Sequence, residues 1–226
     1  MNPRLLRQCA AEFIGTFALI FIGVNAILWA TIGHAETGLI GIALAHGLTI
    51  AVMVSATGGI SGGHLNPAVS FGLFVGGKMD LKQMLAYWAA QLAGACAAAF
   101  LIAAMASGKG VMIVSNGTPD LAEGVRTLHG IAMEAVLTFF LVFVVYGSAV
   151  DSRAPKIGGL AIGATVMLDI LAGGPMTGGA MNPARVFGPA LVSGHWNNHL
   201  VYWLGPLMGG GGAGLIYGRF LIREDK

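Results

Sequence analysis

Ile60-Ser61-Gly62-Gly63-His64-Leu65-Asn66-Pro67-Ala68-Val69-Ser70-Phe71-Gly72 and Met176-Thr177-Gly178-Gly179-Ala180-Met181-Asn182-Pro183-Ala184-Arg185-Val186-Phe187-Gly188 are two writings of one phrase, aligned without a gap at an offset of 116 residues. Each reads hydroxyl, Gly-Gly, two residues, Asn-Pro-Ala, two residues, Phe-Gly. Asn is among the best helix N-caps, and Pro suits the first helical position, where its missing N–H costs nothing. Each copy therefore predicts that a Gly-rich stretch ends and a helix begins at the Asn. One copy alone would mean a capped helix and no more. A gapless second copy makes the phrase an internal repeat, and repeats set the architecture.

The background is that of a membrane protein. Of 226 residues, 56% are hydrophobic and only 10% charged, where a soluble domain carries about 25% charged residues. Mean hydropathy is +0.77. The 36 glycines are spread through apolar stretches, as in a polytopic protein with closely packed helices. A net charge of +2 without a basic run argues against a nucleic-acid partner. Cys9 and Cys96 lack metal-ligand spacing and do not make a disulfide framework. The apolar stretch from Cys9 to Ile32 is too long for the core of a cleavable signal peptide.

A crossing needs about 20 apolar residues. Residues 9–32, 39–57 and 83–106 qualify in the first half, and 128–150, 157–173 and 199–222 in the second. After each Asn-Pro-Ala the apolar run is short, 66–77 and 182–192, which fits a half-helix that enters and returns. Glu134-Ala135-Val136-Leu137-Thr138-Phe139 echoes Glu12-Phe13-Ile14-Gly15-Thr16-Phe17. The chain thus reads as one all-α membrane domain over 1–226, with repeats about 1–106 and 128–226 joined by a polar loop at 107–127. Three spans per repeat is an odd number, so the second repeat is inverted, and such repeats place a site at the midplane.

Positive charge orients the chain. With both termini cytoplasmic, the inner face holds Arg4, Arg7, Lys78, Lys82, Arg153, Lys156, Arg219, Arg223 and Lys226, and the outer face Lys109, Arg126 and Arg185. The polar patch His34 to Thr37 falls in an outer loop.

Each half-helix N-terminus at the midplane carries about half a positive charge. If the caps hold the Asn66 and Asn182 carbonyl oxygens, their NH2 groups point into the space between. That centre suits a small polar molecule accepting two hydrogen bonds, and it disfavours a cation. Water fits: with its oxygen held by both amides, its hydrogens point along the pore and an unbroken proton wire cannot form. Backbone carbonyls of Gly63 and His64 on one side, and of Gly178, Gly179 and Ala180 on the other, are candidate acceptors along the approaches, since irregular backbone at this depth must line a cavity or be buried.

The duplicated phrase makes the sequence resemble the aquaporin (major intrinsic protein) family over nearly its whole length. The resemblance implies six spans, two re-entrant half-helices (the aquaporin fold), one pore per subunit, a homotetramer and no cofactor. Glycerol facilitators usually carry Asp after Asn-Pro-Ala-Arg. Val186 stands there, and with Phe187-Gly188-Pro189-Ala190 and Tyr202-Trp203-Leu204-Gly205-Pro206 it resembles the water-channel branch, closest to tonoplast intrinsic proteins. The family's selectivity filter maps onto His46, Ile170, Gly179 and Arg185. An aliphatic Ile170 in place of the usual imidazole, beside Gly179, resembles ammonia-permeable channels, so water and ammonia are the expected solutes. The expected setting is the cell membrane, or the vacuolar membrane in a eukaryote.

Other residues have sharper and blander readings. Glu12 and Glu134 could be a proton relay, as in the rival reading of a coupled secondary transporter. The preferred role is scaffold, accepting loop N–H groups. Asp169 is a packing substitute for Asn or a modulator of charge near Arg185. His195 and His199 have the i,i+4 spacing of metal ligands but read as an exposed pair. His129 is a gate or an interfacial residue. No nucleophile–base set, phosphate loop or metal cluster points to an enzyme.

Overall fold

The computed structural model describes residues 2–32, 38–106, 115–155 and 157–222. His34 to Thr37, Lys109, Lys156, Arg223 and Lys226 lie outside the described residues. Within them run α1 (Pro3–Ile32), α2 (Gly38–Ser61), α3 (Pro67–Val75), α4 (Leu81–Met105), α5 (Thr127–Val145), α6 (Gly158–Thr177), α7 (Pro183–Ser193) and α8 (Val201–Ala213). There is no β-strand among the described residues. Helices α5 and α8 continue as wider π-turns over Tyr146–Val150 and Gly214–Leu221. Five helices are long and apolar enough to cross a bilayer unaided, α5 with its π-turn among them. The sixth crossing is α8 with its π continuation, and α3 and α7 are the half-helices.

Three helix ends depart from the sequence reading. Helix α1 starts at Pro3 rather than residue 9, because Asn2 Oδ1 accepts the Leu5 N–H (2.7 Å) and supplies a start before the apolar run. Helix α2 continues to Ser61 through Gly58-Gly59, and α6 to Thr177 through Gly173-Gly174-Pro175. Away from water, helix is the cheapest way to pair backbone groups, so Gly and Pro do not stop it there.

The packing repeats like the sequence. In the first half α1 lies against α2 and α4; in the second α5 lies against α6 and α8. The halves then interlock: α2 on α6, α3 on α8 and α7 on α4. Small residues permit these approaches. A Cβ on Gly94 would strike the Phe13 carbonyl across α1–α4, and one on Gly209 the Ala135 carbonyl across α5–α8. Gly188 lies against Ala95, and Gly72 against the Gly210 carbonyl. The half-helices are thereby clamped by the opposite repeat, which fixes their N-termini at one central place.

Candidate functional site

The centre is built from two re-entrant loops held by two buried carboxylates. Glu12, on α1, accepts from Ser61 Oγ (2.6 Å), the His64 N–H (3.0 Å), the Leu65 N–H (2.6 Å) and Gln91 Nε2 (2.8 Å). Glu134, on α5, accepts from Thr177 Oγ1 (2.6 Å), the Ala180 N–H (3.0 Å) and the Met181 N–H (2.6 Å). Both side chains are fully buried. Buried N–H groups left unpaired cost about 1–3 kcal/mol each, so these acceptors hold the loops in shape. A matching pair of phenols adds a second tie: Tyr87 donates to the Ser61 carbonyl and Tyr202 to the Thr177 carbonyl, both at 2.8 Å.

The loops end at Leu65 and Met181, whose φ angles of 53° and 52° lie in the left-handed region. That geometry costs about 1 kcal/mol or more for a side-chain-bearing residue. It turns the two carbonyls toward the opposite repeat. Asn66 Nδ2 donates to the Met181 carbonyl (2.8 Å), and Asn182 Nδ2 to the Leu65 carbonyl (2.9 Å). The Asn carbonyl oxygens cap their own helices, Asn66 accepting from the Ala68 N–H and Asn182 from the Ala184 and Arg185 N–H groups. Pro67 and Pro183 open the helices, and Ala68 and Ala184 are fully buried behind them. One expectation is corrected here: neither NH2 is wholly free. One N–H of each amide joins the two repeats, and one remains for the cavity.

That cavity is narrow. The space open to the centres of water-sized spheres is about 30 Å³, lined by Asn66, Asn182, Gly63, His64, Gly179 and Ala180 together with aliphatic side chains such as Val54, Val69, Leu141 and Val166. So little room for water centres, drawn out along so many residues, makes the passage too narrow for waters side by side. A second cavity continues it, lined by Gly117, Thr118, Pro119, Gly174 and Gly178. His46, Ile170 and Arg185 line both cavities, whereas Gly179 lines the first and Gly178 the second.

The junction has defined donors. Arg185 Nη1 donates to the Gly117 carbonyl (2.7 Å), and among the described residues its other guanidinium N–H groups have no acceptor. His46 Nδ1 lies 2.8 Å from the Ile42 carbonyl. A carbonyl only accepts, so Nδ1 carries hydrogen. The ring rests on Gly23 of α1, where a Cβ would lie 2.7 Å from His46 Cδ2 and Cε1 and nearer still to Nε2. Gly179 has φ of +56°, and a Cβ there would come within 3.1 Å of Ile170 Cα. Opposite chemistries thus meet where the two cavities join: a guanidinium, an imidazole and an aliphatic wall, with Gly179 beside them.

Other singled-out residues lie elsewhere. Asp169 is buried, with its Oδ2 unpartnered and no bond to Arg185. His129 is exposed and meets Arg126 Nη2 at 2.8 Å. His195 and His199 are not an exposed pair. His195 Nε2 lies 2.7 Å from Asp120 Oδ2, and His199 Nε2 accepts from Trp203 Nε1 (3.1 Å). Both are part-buried, because the turn at 197–200 folds them onto separate neighbours. Cys9 and Cys96 are free thiols. Tyr87, Gly23 and Gly117 were missed by the sequence reading, although Tyr87-Trp88 and Tyr202-Trp203 are themselves a repeat at an offset of 115.

Two inverted halves that interlock around one narrow passage define a multi-pass membrane channel rather than an enzyme. The chain belongs to the major intrinsic protein family, whose family model matches residues 1–217. It is 46% identical to the aquaporin TIP2-1 of Arabidopsis thaliana, over 98% of this chain and 90% of that one. It is 47% identical to the aquaporin TIP4-4 of Zea mays, over 94% and 85%. Among solved structures it is similar to the aquaglyceroporin from Plasmodium falciparum, with a TM-score of 0.85 and 25% identity over 96% of this chain and 97% of that one.

Proposed function

We propose that this chain is a passive channel that conducts water in single file and also passes ammonia as NH3, while excluding protons and other ions. The observation that carries the reading is the pair of central amides, each with one N–H left for the cavity. A water between them accepts from both and turns its hydrogens outward, which interrupts a proton wire. The two half-helix N-termini, about half a positive charge each, raise the energy of a cation there. Relatives named as aquaporins support water as the solute.

The filter role falls to His46, Ile170, Gly179 and Arg185. Ile170 leaves one wall apolar, which favours NH3 over a filter with a second imidazole. Carbonyls of Gly63, His64, Gly178 and Ala180 serve as the approach acceptors, and Glu12 and Glu134 as loop scaffold. A coupled transporter needs a carboxylate free to change partners, and these two are committed to loop N–H and hydroxyl donors. We infer a homotetramer with both termini cytoplasmic, in the cell membrane or, in a eukaryote, the vacuolar membrane.

The test is stopped-flow light scattering of proteoliposomes under an osmotic step, with an internal pH dye for ammonia. Fast shrinkage with low activation energy and no ion dependence supports the channel, and faster alkalinisation on an ammonium gradient supports NH3. Ile170→His is expected to lower the ammonia component and keep the water one. Shrinkage no faster than in empty liposomes overturns the reading.

A further inference from the structure

The connection over residues 115–126 crosses the outer end of the passage and touches the filter. Its Gly117 carbonyl is the acceptor for Arg185, and Gly117, Thr118 and Pro119 line the outer cavity. The next residue is Asp120. Its Oδ1 accepts from the Leu121 N–H and from Asn198 Nδ2, both at 2.7 Å, and its Oδ2 meets His195 Nε2 at 2.7 Å. Asn198 and His195 belong to the connection between α7 and α8, far away in sequence. Two weaker ties run alongside: Thr118 Oγ1 to Ser193 Oγ at 3.2 Å, and the Ala122 N–H to the Met176 carbonyl at 3.0 Å.

The strap therefore has one charged anchor. Three successive residues of it face the passage, and the fourth is a carboxylate fully engaged by another connection. Partial burial pushes the Asp120 carboxyl up, but hydrogen bonds from Asn198, the Leu121 N–H and His195 outweigh that and hold it below the usual carboxylate range. Hydrogen bonds to a charged acceptor are the stronger kind. A guanidinium held through a single carbonyl is only as well placed as the segment carrying that carbonyl.

We propose that Asp120, His195 and Asn198 form a latch that positions the Gly117–Pro119 segment and, through the Gly117 carbonyl, the guanidinium of Arg185, so that residues outside the passage set its selectivity. The three are positioning residues. They line neither cavity, and the inference rests on the pore reading above.

The experiment uses the full chain in nanodiscs and proteoliposomes. Asp120→Ala, His195→Ala, the double variant and Asp120→Asn are compared with the wild type. Two readouts are taken: amide exchange over residues 115–126, and the ratio of urea to water permeability. Both single variants are expected to speed exchange and raise the ratio by about two- to tenfold, the lower part of the range for directly coupled groups. His195→Ala removes one of the three bonds to Asp120 and Asp120→Ala all of them, so the double variant is expected to match Asp120→Ala and to exceed His195→Ala. Asp120→Asn keeps an acceptor for Asn198 and Leu121 but loses the charge, so it is expected to fall between the wild type and Asp120→Ala on both readouts. Unchanged exchange in the single variants overturns the latch. Faster exchange with an unmoved ratio overturns its action on the filter. A wild type that conducts no water defeats the pore reading instead, and exchange still reports whether the latch exists.

Discussion

Gly23→Ala is expected to close the passage by pushing His46 into it. A methyl at this position would sit 2.7 Å from two ring carbons of His46 and closer to Nε2, whereas ordinary contact starts near 3.4 Å. The ring must therefore move by about 0.7 Å or more. It is the far end of a side chain, so it yields more cheaply than the backbone of α1 or α2. Its Nδ1–H bond to the Ile42 carbonyl, 2.8 Å long, resists and is strained or broken. Gly23 blocks one side, and the open side is the cavity shared with Ile170 and Arg185. In a passage with only about 30 Å³ open to water centres, that displacement removes much of the clearance. We expect osmotic permeability per channel to fall at least about tenfold, equivalent to about 1.4 kcal/mol of added barrier. The assay is stopped-flow shrinkage at matched protein density, with activation energies measured in parallel. Gly23→Ala combined with His46→Ala is expected to restore conduction, because the group pushed inward is gone. Permeability of Gly23→Ala within twofold of wild type would refute the reasoning. So would a double variant as closed as the single one, since the defect would then be general distortion.

Tyr87→Phe and Tyr202→Phe each leave one buried loop carbonyl short of its donor, so each is expected to cost about 1–2 kcal/mol; the two apparent unfolding midpoints in detergent should fall by similar amounts. Glu134→Gln is expected to cost more, about 2–4 kcal/mol, because an amide replaces one charged acceptor oxygen with a donor aimed at the loop N–H groups; a midpoint drop no larger than that of Tyr202→Phe counts against it. The Asp120 carboxyl is held below its ordinary value, so its contribution is present above about pH 4 and is lost as pH falls through the lowered value. Amide exchange over 115–126 should accordingly be protected down to about pH 4 and accelerate below it. Acceleration that begins near neutrality would contradict this.

The spans and half-helices were legible because they follow from hydropathy and from the Asn-Pro cap. The same cap opens α1 at Asn2-Pro3, and an apolar-run criterion passed over it because Arg4, Gln8 and Arg7 dilute the first turns. Gly58-Gly59 and Gly173-Gly174-Pro175 misled in the other direction, since they stop helices in water but not where the backbone has no other partner. The Asn amides were legible as donors, but their reciprocal bonds to Leu65 and Met181 were not. A repeat says that two segments are alike, and it does not say that they touch. His46 on Gly23 was hidden for a related reason: contacts between helices depend on rotation, which spacing within one helix does not supply. The latch was hidden because Asp120 and His195 are ordinary polar residues in ordinary connections.

The halves agree where the backbone makes the demand, and they differ at some positions that face the passage. Ser61 and Thr177, Tyr87 and Tyr202, Glu12 and Glu134 are matched pairs making matched bonds. Even the left-handed φ angles of Leu65 and Met181 agree within a degree. Each such residue satisfies a re-entrant loop that has no water to turn to, and both loops have the same need. Facing the cavity, Asn66 and Asn182 match and so do Gly63 and Gly179, but other pairs do not. At the offset of 116, Val69 stands opposite Arg185 and His64 opposite Ala180. An identical second Arg at Val69 would place two guanidiniums in one thread of space, adding a desolvated charge that no carbonyl like that of Gly117 receives. In the channel proposed above, one fixed charge at one end, held by the Gly117 carbonyl, gives selectivity without asking the scaffold to give up its symmetry.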